Sequence, residues 1–220
     1  QEGGAVTRLR ASRGFVEFPS AMAIGATGDV TDAGRVGAAI ADELLAVGIN
    51  MDLAPDLDVN NNPANPVIGT RSFGSDPARV AELGAAFIAG MQARGVMAVG
   101  KHFPGHGDTA IDSHVGLPVV AHDRARLEAV EFVPFRRAMA SGVTGIMSAH
   151  IAFPAIDPTP GLPATLSAKV LTGLLREEMG YDGLIFTDSL IMGALVNEGR
   201  SIPQAAAAAA VLILAVPDTR

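Results

Sequence analysis

Short apolar runs typical of buried strands alternate with stretches of helical spacing, and this regular alternation constrains the fold more than any other feature. Helix boundaries are marked by Asp76 and Pro77, an N-cap followed by proline, and by glycines such as Gly95. No Asn-Gly hairpin signal separates the runs, so we expect parallel strands joined by crossover helices. The predicted strands are residues 49–57, 96–101, 143–149, 183–187 and 211–216, and the predicted helices are residues 32–47, 76–94, 124–140, 167–179 and 202–210.

Two architectures fit this alternation, a doubly wound open sheet and a (β/α)8 barrel. A dinucleotide-binding sheet would carry a G-x-G-x-x-G turn, and the sequence has none. Polar residues collect where the predicted strands end, as they do in a barrel whose site lies at the carboxyl ends of its strands. We therefore predict an α/β protein of the TIM-barrel type. The strand-end residues are Asp56, Asp58, Lys101, His102, Ser148, His150, Thr187 and Asp188.

Composition removes several classes of function. Apolar residues make up 49% of the 220 residues and charged residues 18%, which indicates a folded globular chain. The net charge of −7 argues against a nucleic-acid surface and against anchoring on anionic lipid. The chain has no cysteine, which excludes disulfide frameworks, thiolate metal sites and cysteine nucleophiles. Its longest apolar run, residues 205–216, is shorter than the roughly 20 residues of a membrane span.

The densest group of polar residues is the segment KHFPGHGDTAIDSHVGL, residues 101–117. An incidental polar loop, a metal site and an acid–base site are three interpretations of its histidines and aspartates. Its glycines and proline break any regular ligand face, which weighs against the metal. Asp112 and His114 are two residues apart, so a local turn can bring the carboxylate to one imidazole nitrogen, fix the tautomer and raise the basicity of the ring.

Two further residues have both a functional and a structural interpretation. Asp188 follows an apolar strand, where a barrel presents side chains to its pocket, but an aspartate there can also be the N-cap of the next helix. Arg71 lies in the loop NNNPANPVIGTRSF, residues 60–73, where an arginine binds an anionic or polyhydroxyl ligand or forms a salt bridge.

KHFPGHG followed by D-x-H resembles the family 3 glycoside hydrolases, in their β-N-acetylhexosaminidase branch. Supporting segments occur in the expected order along nearly the whole chain. This resemblance implies a TIM-barrel domain that removes terminal β-linked N-acetylglucosamine from peptidoglycan fragments or chitin-type sugars with retention of configuration. The supporting segments are QEGGAVTRLR at 1–10, FPSAMAIGAT at 18–27, NMDLAPDLDVNNNPANPVIGTRSFGSDP at 50–77 and FTDSLIMGAL at 186–195.

The resemblance also implies roles for individual residues. Asp188 matches the nucleophile, His114 the acid/base and Asp112 its dyad partner. The glycines at 105 and 107 predict that the loop carrying this dyad is mobile and closes over substrate. The positions that match sugar-binding residues are Arg8, Arg71, Lys101, His102 and His150.

The resemblance implies no metal and no cofactor, and it makes a small carbohydrate the expected partner, with no nucleic acid and no membrane. A phosphorylase that uses phosphate as acceptor and a non-catalytic sugar-binding barrel remain as alternatives, and the oligomeric state is open. Residues 1–220 have fewer than eight strand-like runs, so we expect a single catalytic barrel domain that lacks or does not show its first strands. The opening QEGG has no basic-then-apolar leader. That favours a cytoplasmic location and leaves a secreted or lipoprotein form open if the natural N-terminus lies upstream.

Overall fold

The computed structural model describes residues 1–197 and 199–214, and in this part of the chain four parallel strands form one sheet. Their order in the sheet, β1-β2-β3-β4, is their order in the chain. A doubly wound sheet reverses direction at a switch point, whereas a barrel adds each strand beside the previous one. The winding is therefore that of a barrel. The strands are β1 (Met51–Asp52), β2 (Met97–Phe103), β3 (Gly145–Ser148) and β4 (Leu184–Thr187).

Helices connect successive strands and pack side by side. The α-helices are α1 (Ala21–Thr27), α2 (Val30–Ala46), α3 (Pro77–Gln92), α4 (Arg124–Ala129), α5 (Phe132–Ala140), α6 (Gly193–Val196) and α7 (Ile202–Ile213). A π-helix, Lys169–Glu178, precedes β4. The axes of α2 and α3 approach closely because Gly37 and Gly90 have no Cβ atom. A Cβ at either position would collide with a carbonyl oxygen of the facing helix. None of the helices in the described part of the chain combines the length and apolar character that a membrane crossing requires.

Local capping explains where the longer helices begin. The Asp29 carboxylate accepts a hydrogen bond from the Thr31 amide at 2.8 Å and starts α2, two residues before the predicted boundary. Asp76 accepts from the Arg79 amide at 2.9 Å and Pro77 occupies the first turn of α3, as the sequence predicts.

The predicted helix 124–140 is two helices, α4 and α5. Pro134 has no amide hydrogen, and its ring would clash with the carbonyl of Val130 in a continuous helix, so the chain bends at residues 130–131. The predicted strand 49–57 pairs regularly only at Met51–Asp52. Its remainder still follows β2 through irregular hydrogen bonds, for example from the Leu57 amide to the Lys101 carbonyl at 2.6 Å.

The prediction of a last strand at residues 211–216 is wrong over the positions that the structure describes. Helix α7 continues through Ile213, because the sequence has no glycine, proline or asparagine near Ala210 that would end the helix there. Residues 215 and 216 lie outside the described residues. The predicted helix 167–179 exists but has π-type hydrogen bonding over most of its length. The short helices α1 and α6 were not predicted.

Candidate active site

Asp58 organises the carboxyl-terminal edge of β1 and β2. Its fully buried carboxylate contacts His102 Nδ1 at 2.7 Å and accepts the His106 amide at 2.6 Å and the His102 amide at 3.3 Å. Burial by itself would raise the pKa of Asp58, but the His102 charge and these hydrogen bonds outweigh it and lower the pKa to about 2. The carboxylate therefore stays ionised and fixes the His102 ring.

A buried ion cluster extends this edge. Glu2 accepts two hydrogen bonds from Arg71, from Nε at 2.9 Å and from a terminal nitrogen at 2.8 Å, and lies 2.6 Å from Lys101 Nζ. Lys101 Nζ also donates to the Leu53 carbonyl. Burial would raise the pKa of Glu2, but the bond to Arg71 and the Lys101 charge lower it to about 2. We call Glu2, Asp58, Arg71, Lys101 and His102 the strand-end network.

Asp56 differs from Glu2 and Asp58 in the direction of its pKa shift. Burial raises its pKa well above the usual range, the charge of Asp58 adds to that effect, and Arg71 opposes it. The pKa values of the two neighbouring carboxyl groups, Asp56 and Asp58, are therefore shifted in opposite directions. Its Oδ1 atom accepts the Asp58 amide at 2.9 Å and holds the turn between the two residues.

Every member of the strand-end network except Asp58 contributes to one wall of a cavity of about 260 Å³. Six residues that the sequence singles out line it, namely Arg8, Arg71, Lys101, His102, His114 and Asp188. Lining residues that the sequence analysis did not assign to the site are Glu2, Val6, Leu53, Val67, His106, Ser113 and Met147. Larger clefts elsewhere include one of about 470 Å³ along α1 and α2, but its walls are mostly apolar and include no histidine.

Asp188 directly follows β4 and projects from the edge of the sheet that the sequence predicted. Its Oδ1 atom accepts the Ser189 amide at 2.7 Å. Burial would raise the pKa of Asp188, but the charge of His102 and this hydrogen bond lower it. Helix α6 begins five residues later, with Met192 as its N-cap, so Asp188 does not cap a helix. The structural alternative for this residue is therefore excluded.

Asp112 and His114 form the dyad that their spacing predicts. Asp112 Oδ1 accepts the His114 amide at 2.8 Å and lies 2.7 Å from His114 Nδ1. Two contacts to one carboxylate oxygen fix the imidazole with Nδ1 toward Asp112 and leave Nε2 without that partner. The His114 side chain is 64% exposed and that of Asp112 34%. We call residues 108–117, which carry this pair, the dyad loop.

His106 supports the dyad loop from inside. Its Nδ1 atom lies 2.8 Å from Thr109 Oγ1 and its Nε2 atom lies 3.1 Å from Ser113 Oγ. Burial, with the nearby charge of His102 second, lowers the pKa of His106 to about 4. A neutral ring therefore bridges the start of the loop to the residue before His114.

His150 does not line the cavity. It is buried behind Asp188, with Nδ1 at 2.8 Å from Thr165 Oγ1 and Nε2 at 3.0 Å from the Ser189 carbonyl. Both ring nitrogens therefore have protein partners, and the contact with Ser189 supports the turn that presents Asp188. The sugar-binding role suggested for His150 remains a prediction, and the geometry favours positioning instead.

Two groups in the described residues have the ligand types and spacing to hold a metal ion, and each already contains a guanidinium. In the group Asp56, Asp58 and His102, Arg71 lies 3.6 Å from Asp56. In the group Asp108, His122 and Glu131, Arg126 lies 3.2 Å from Glu131 and 3.7 Å from Asp108. Arginine thus compensates the negative charge where a metal cation would otherwise do so.

The model for the N-terminal domain of glycosyl hydrolase family 3 matches residues 1–213. The chain belongs to this family. Among curated relatives, a beta-hexosaminidase of Alkalilimnicola ehrlichii is 42% identical over 215 residues, which are 95% of this chain and 60% of the relative. Beta-hexosaminidase A of Pseudoalteromonas piscicida is 44% identical over 209 residues, 89% of this chain and 35% of its own length. The chain thus spans about a third to three fifths of these relatives.

Solved structures agree with the family and with the fold. A family 3 beta-N-acetylglucosaminidase from Paenibacillus sp. str. FPU-7 superposes with a TM-score of 0.93 at 50% identity, over 96% of this chain and 40% of that one. NagZ from Neisseria gonorrhoeae, solved in complex with N-trifluoroacetyl-D-glucosamine, gives 0.85 at 35% identity, over 96% and 61%. The predicted TIM-barrel type of α/β fold is confirmed, and the described strands form part of such a barrel.

Proposed function

We propose that this family 3 protein is a retaining exo-glycosidase that removes terminal β-linked N-acetylglucosamine. One observation carries the proposal: Asp188 and His114 line the same small cavity, and Asp112 holds the imidazole of His114. The names of the relatives, beta-hexosaminidase and beta-N-acetylglucosaminidase, support the activity and the sugar. Peptidoglycan fragments or chitin-type oligosaccharides are the proposed substrates.

The size of the cavity supports action on a chain end. Pockets for drug-sized ligands span about 300–1,000 Å³, so a cavity of about 260 Å³ suits one sugar residue. Its wall offers donors that are already fixed in place. Lys101 uses two of its three N–H groups on Leu53 and Glu2. Arg71 uses its Nε and one terminal nitrogen on Glu2, and one N–H of its other terminal nitrogen on the Val67 carbonyl. The remaining N–H groups suit the hydroxyl and acetamido oxygens of the sugar.

The lowered pKa of Asp188 suits a nucleophile. The ionised carboxylate attacks the anomeric carbon while the bond from that carbon to the leaving-group oxygen breaks. The product of this step is a covalent glycosyl ester on Asp188. The positive charges that lower its pKa, chiefly on His102, lie at the end of β2, two strands away in the sheet.

His114 supplies and recovers the proton in this scheme. The imidazolium donates a proton to the departing oxygen, and the neutral ring then takes a proton from water as the hydroxyl adds to the anomeric carbon and releases Asp188. The contact between Nδ1 and Asp112 leaves Nε2 for this transfer and stabilises the imidazolium. An imidazole also avoids a second carboxylate beside the negative charge of Asp188.

Trapping with 5-fluoro-N-acetylglucosaminyl fluoride tests the proposal. We expect mass spectrometry of the digested protein to find the sugar on Asp188, and the Asp188→Asn variant to stay unlabelled. A label on any other residue would overturn the mechanism. Wild-type protein that neither turns over aryl N-acetylglucosaminides nor accepts label would be a non-catalytic sugar-binding barrel. Release of sugar phosphate in place of free sugar, in phosphate buffer, would make it a phosphorylase.

A further inference from the structure

The dyad loop is fastened to the segment that follows the proposed nucleophile. Three successive carbonyls of the loop, at residues 113–115, accept hydrogen bonds from α6 and the residue that ends it. The donors are the Ala194 amide to Ser113 at 3.0 Å, the Gly193 amide to His114 at 3.1 Å, and Asn197 Nδ2 to Val115 at 2.8 Å. We call these three contacts the loop seam.

The loop seam requires a glycine at position 193. A Cβ added to Gly193 would lie 2.5 Å from the His114 carbonyl oxygen and 2.8 Å from the Val115 carbonyl oxygen. Both are backbone atoms, so neither can rotate away, and any other residue here would push the loop off the helix. The glycine is needed for close approach of two backbones rather than for a special backbone angle.

Apart from the loop seam, few contacts on the solvent-facing side of the loop hold His114 in place. Its side chain is 64% exposed, and the neighbouring Val115 is 68% exposed, so burial contributes little to the position of the outer part of the loop. Only four residues, 189–192, separate Asp188 from the start of the seam. The geometry therefore links the acid/base group to the nucleophile through a short and direct path.

We propose that residues 192–197 are the seat on which the dyad loop docks, and that Gly193 and Asn197 are positioning residues that set His114 relative to Asp188. This inference rests on the proposed function, because it assigns the seat a role in proton transfer to the leaving group. Neither residue touches the cavity, so each acts through the loop backbone.

Leaving-group dependence separates positioning of an acid from a general structural role. A 2,4-dinitrophenolate leaves without protonation, whereas the alcohol oxygen of N,N′-diacetylchitobiose needs a proton. We expect Gly193→Ala to lower kcat/KM for the disaccharide about 100-fold, because a displacement of about 1 Å can cost that much. The same variant should change kcat/KM for the dinitrophenyl glycoside less than about threefold, since proton transfer contributes little there.

Asn197 offers a matched series. Asn197→Ala removes one donor, and we expect about a fivefold loss on the disaccharide, equivalent to one ordinary hydrogen bond. Asn197→Asp keeps the size but turns an acceptor oxygen toward the Val115 carbonyl, so its loss should be larger. Val196→Ala is the control, because Val196 lies on the same helix, is 43% exposed and takes no part in the seam. It should behave like the wild type on both substrates.

Amide hydrogen exchange gives a second readout that does not depend on activity. We expect the Gly193 and Ala194 amides to exchange faster in Asn197→Asp than in Val196→Ala. Equal losses on both substrates in Gly193→Ala and Asn197→Asp, or wild-type behaviour in both variants, would overturn the seat. If His114→Ala itself shows no leaving-group dependence, the proposed acid is wrong, and the proposed function fails rather than the seat.

Discussion

The two halves of the site are built by opposite means. The strand-end network consists of buried charges that pair with one another, with Asp58 fully buried and Glu2 exposed by only 6%. The dyad loop presents a partly exposed aspartate and a largely exposed histidine, and hydrogen bonds with His106 and with the α6 segment hold it in place. One half therefore derives its geometry from the core of the fold, and the other from hydrogen bonds between the dyad loop and the segment around α6.

This difference suits the two tasks of a glycosidase site. Donors that bind a sugar must be fixed before the substrate arrives, because ordering them afterwards would consume binding energy. The group that protonates the leaving oxygen must reach it while leaving space for departure and for water. An exposed imidazole on a docked loop meets that need, whereas a buried one would have to carry its charge in a desolvated position.

Removing Asp58 should have the largest effect, because it disrupts the strand-end network. Asp58→Ala leaves the His102 ring and the buried amides of residues 102 and 106 without an acceptor. We expect the free energy of unfolding to fall by about 3–5 kcal/mol, measured by urea denaturation. Asp42→Ala is the control, because Asp42 pairs with Arg94 at the surface and its loss should cost much less. Equal losses would mean that the network contributes no more than a surface pair.

Removing His114 should have the next largest effect, on activity rather than on stability. His114→Ala should lower kcat/KM for an unactivated N-acetylglucosaminide by about 10²–10⁴, the usual contribution of a general acid. Its unfolding free energy should stay within about 0.5 kcal/mol of the wild type, because the ring is largely exposed. Together with Asp58→Ala, this variant separates a half that stabilises the fold from a half that serves the reaction. A loss of stability like that of Asp58→Ala would contradict the separation.

Local relationships explain what the sequence predicted well. The Asp112–His114 pair is two residues apart, and its contact forms within one turn. The N-cap at Asp76 likewise depends only on the amide three residues later. The placement of Asp188 follows from the end of an apolar strand and the barrel type, because strand ends in a barrel face one common mouth.

Distant partners explain what the sequence did not reveal. Glu2 contacts Arg71 across 69 residues and Asp58 contacts His102 across 44, so no local pattern identifies them as pairs. An acidic residue beside the first glycines and an aspartate at a strand end were visible signals, but neither indicates its partner. The partners of His150 were hidden for the same reason, since its contacts with Thr165 and Ser189 depend on how separate loops pack.

The dyad loop and the strand-end network meet at His106. A smaller effect, the pH dependence of the unfolding free energy, tests the role of this residue. Burial lowers the pKa of His106 to about 4, so between pH 6.5 and 4 the unfolded chain binds a proton that the folded chain does not. Stability from this group therefore falls as the pH decreases. Between pH 7 and 5, the wild type should lose about 2 kcal/mol more than His106→Gln in urea denaturation. Parallel curves for the wild type and His106→Gln would contradict the assignment to His106.

The smallest expected effect concerns the base of the dyad loop. Asp108 begins the loop, His122 lies beyond its end, and the two side chains are 2.6 Å apart, so the pair closes the loop at its base. Both side chains are partly exposed, and His122→Gln alone should cost less than about 1 kcal/mol and lower kcat/KM by less than about fivefold. If the base and the seam are two restraints on one loop, combining His122→Gln with Asn197→Ala should lower kcat/KM more than the product of the single effects. A coupling of at least about 0.5 kcal/mol would show that the loop depends on both attachments. Strict additivity would mean that the base and the seam act on His114 independently of each other.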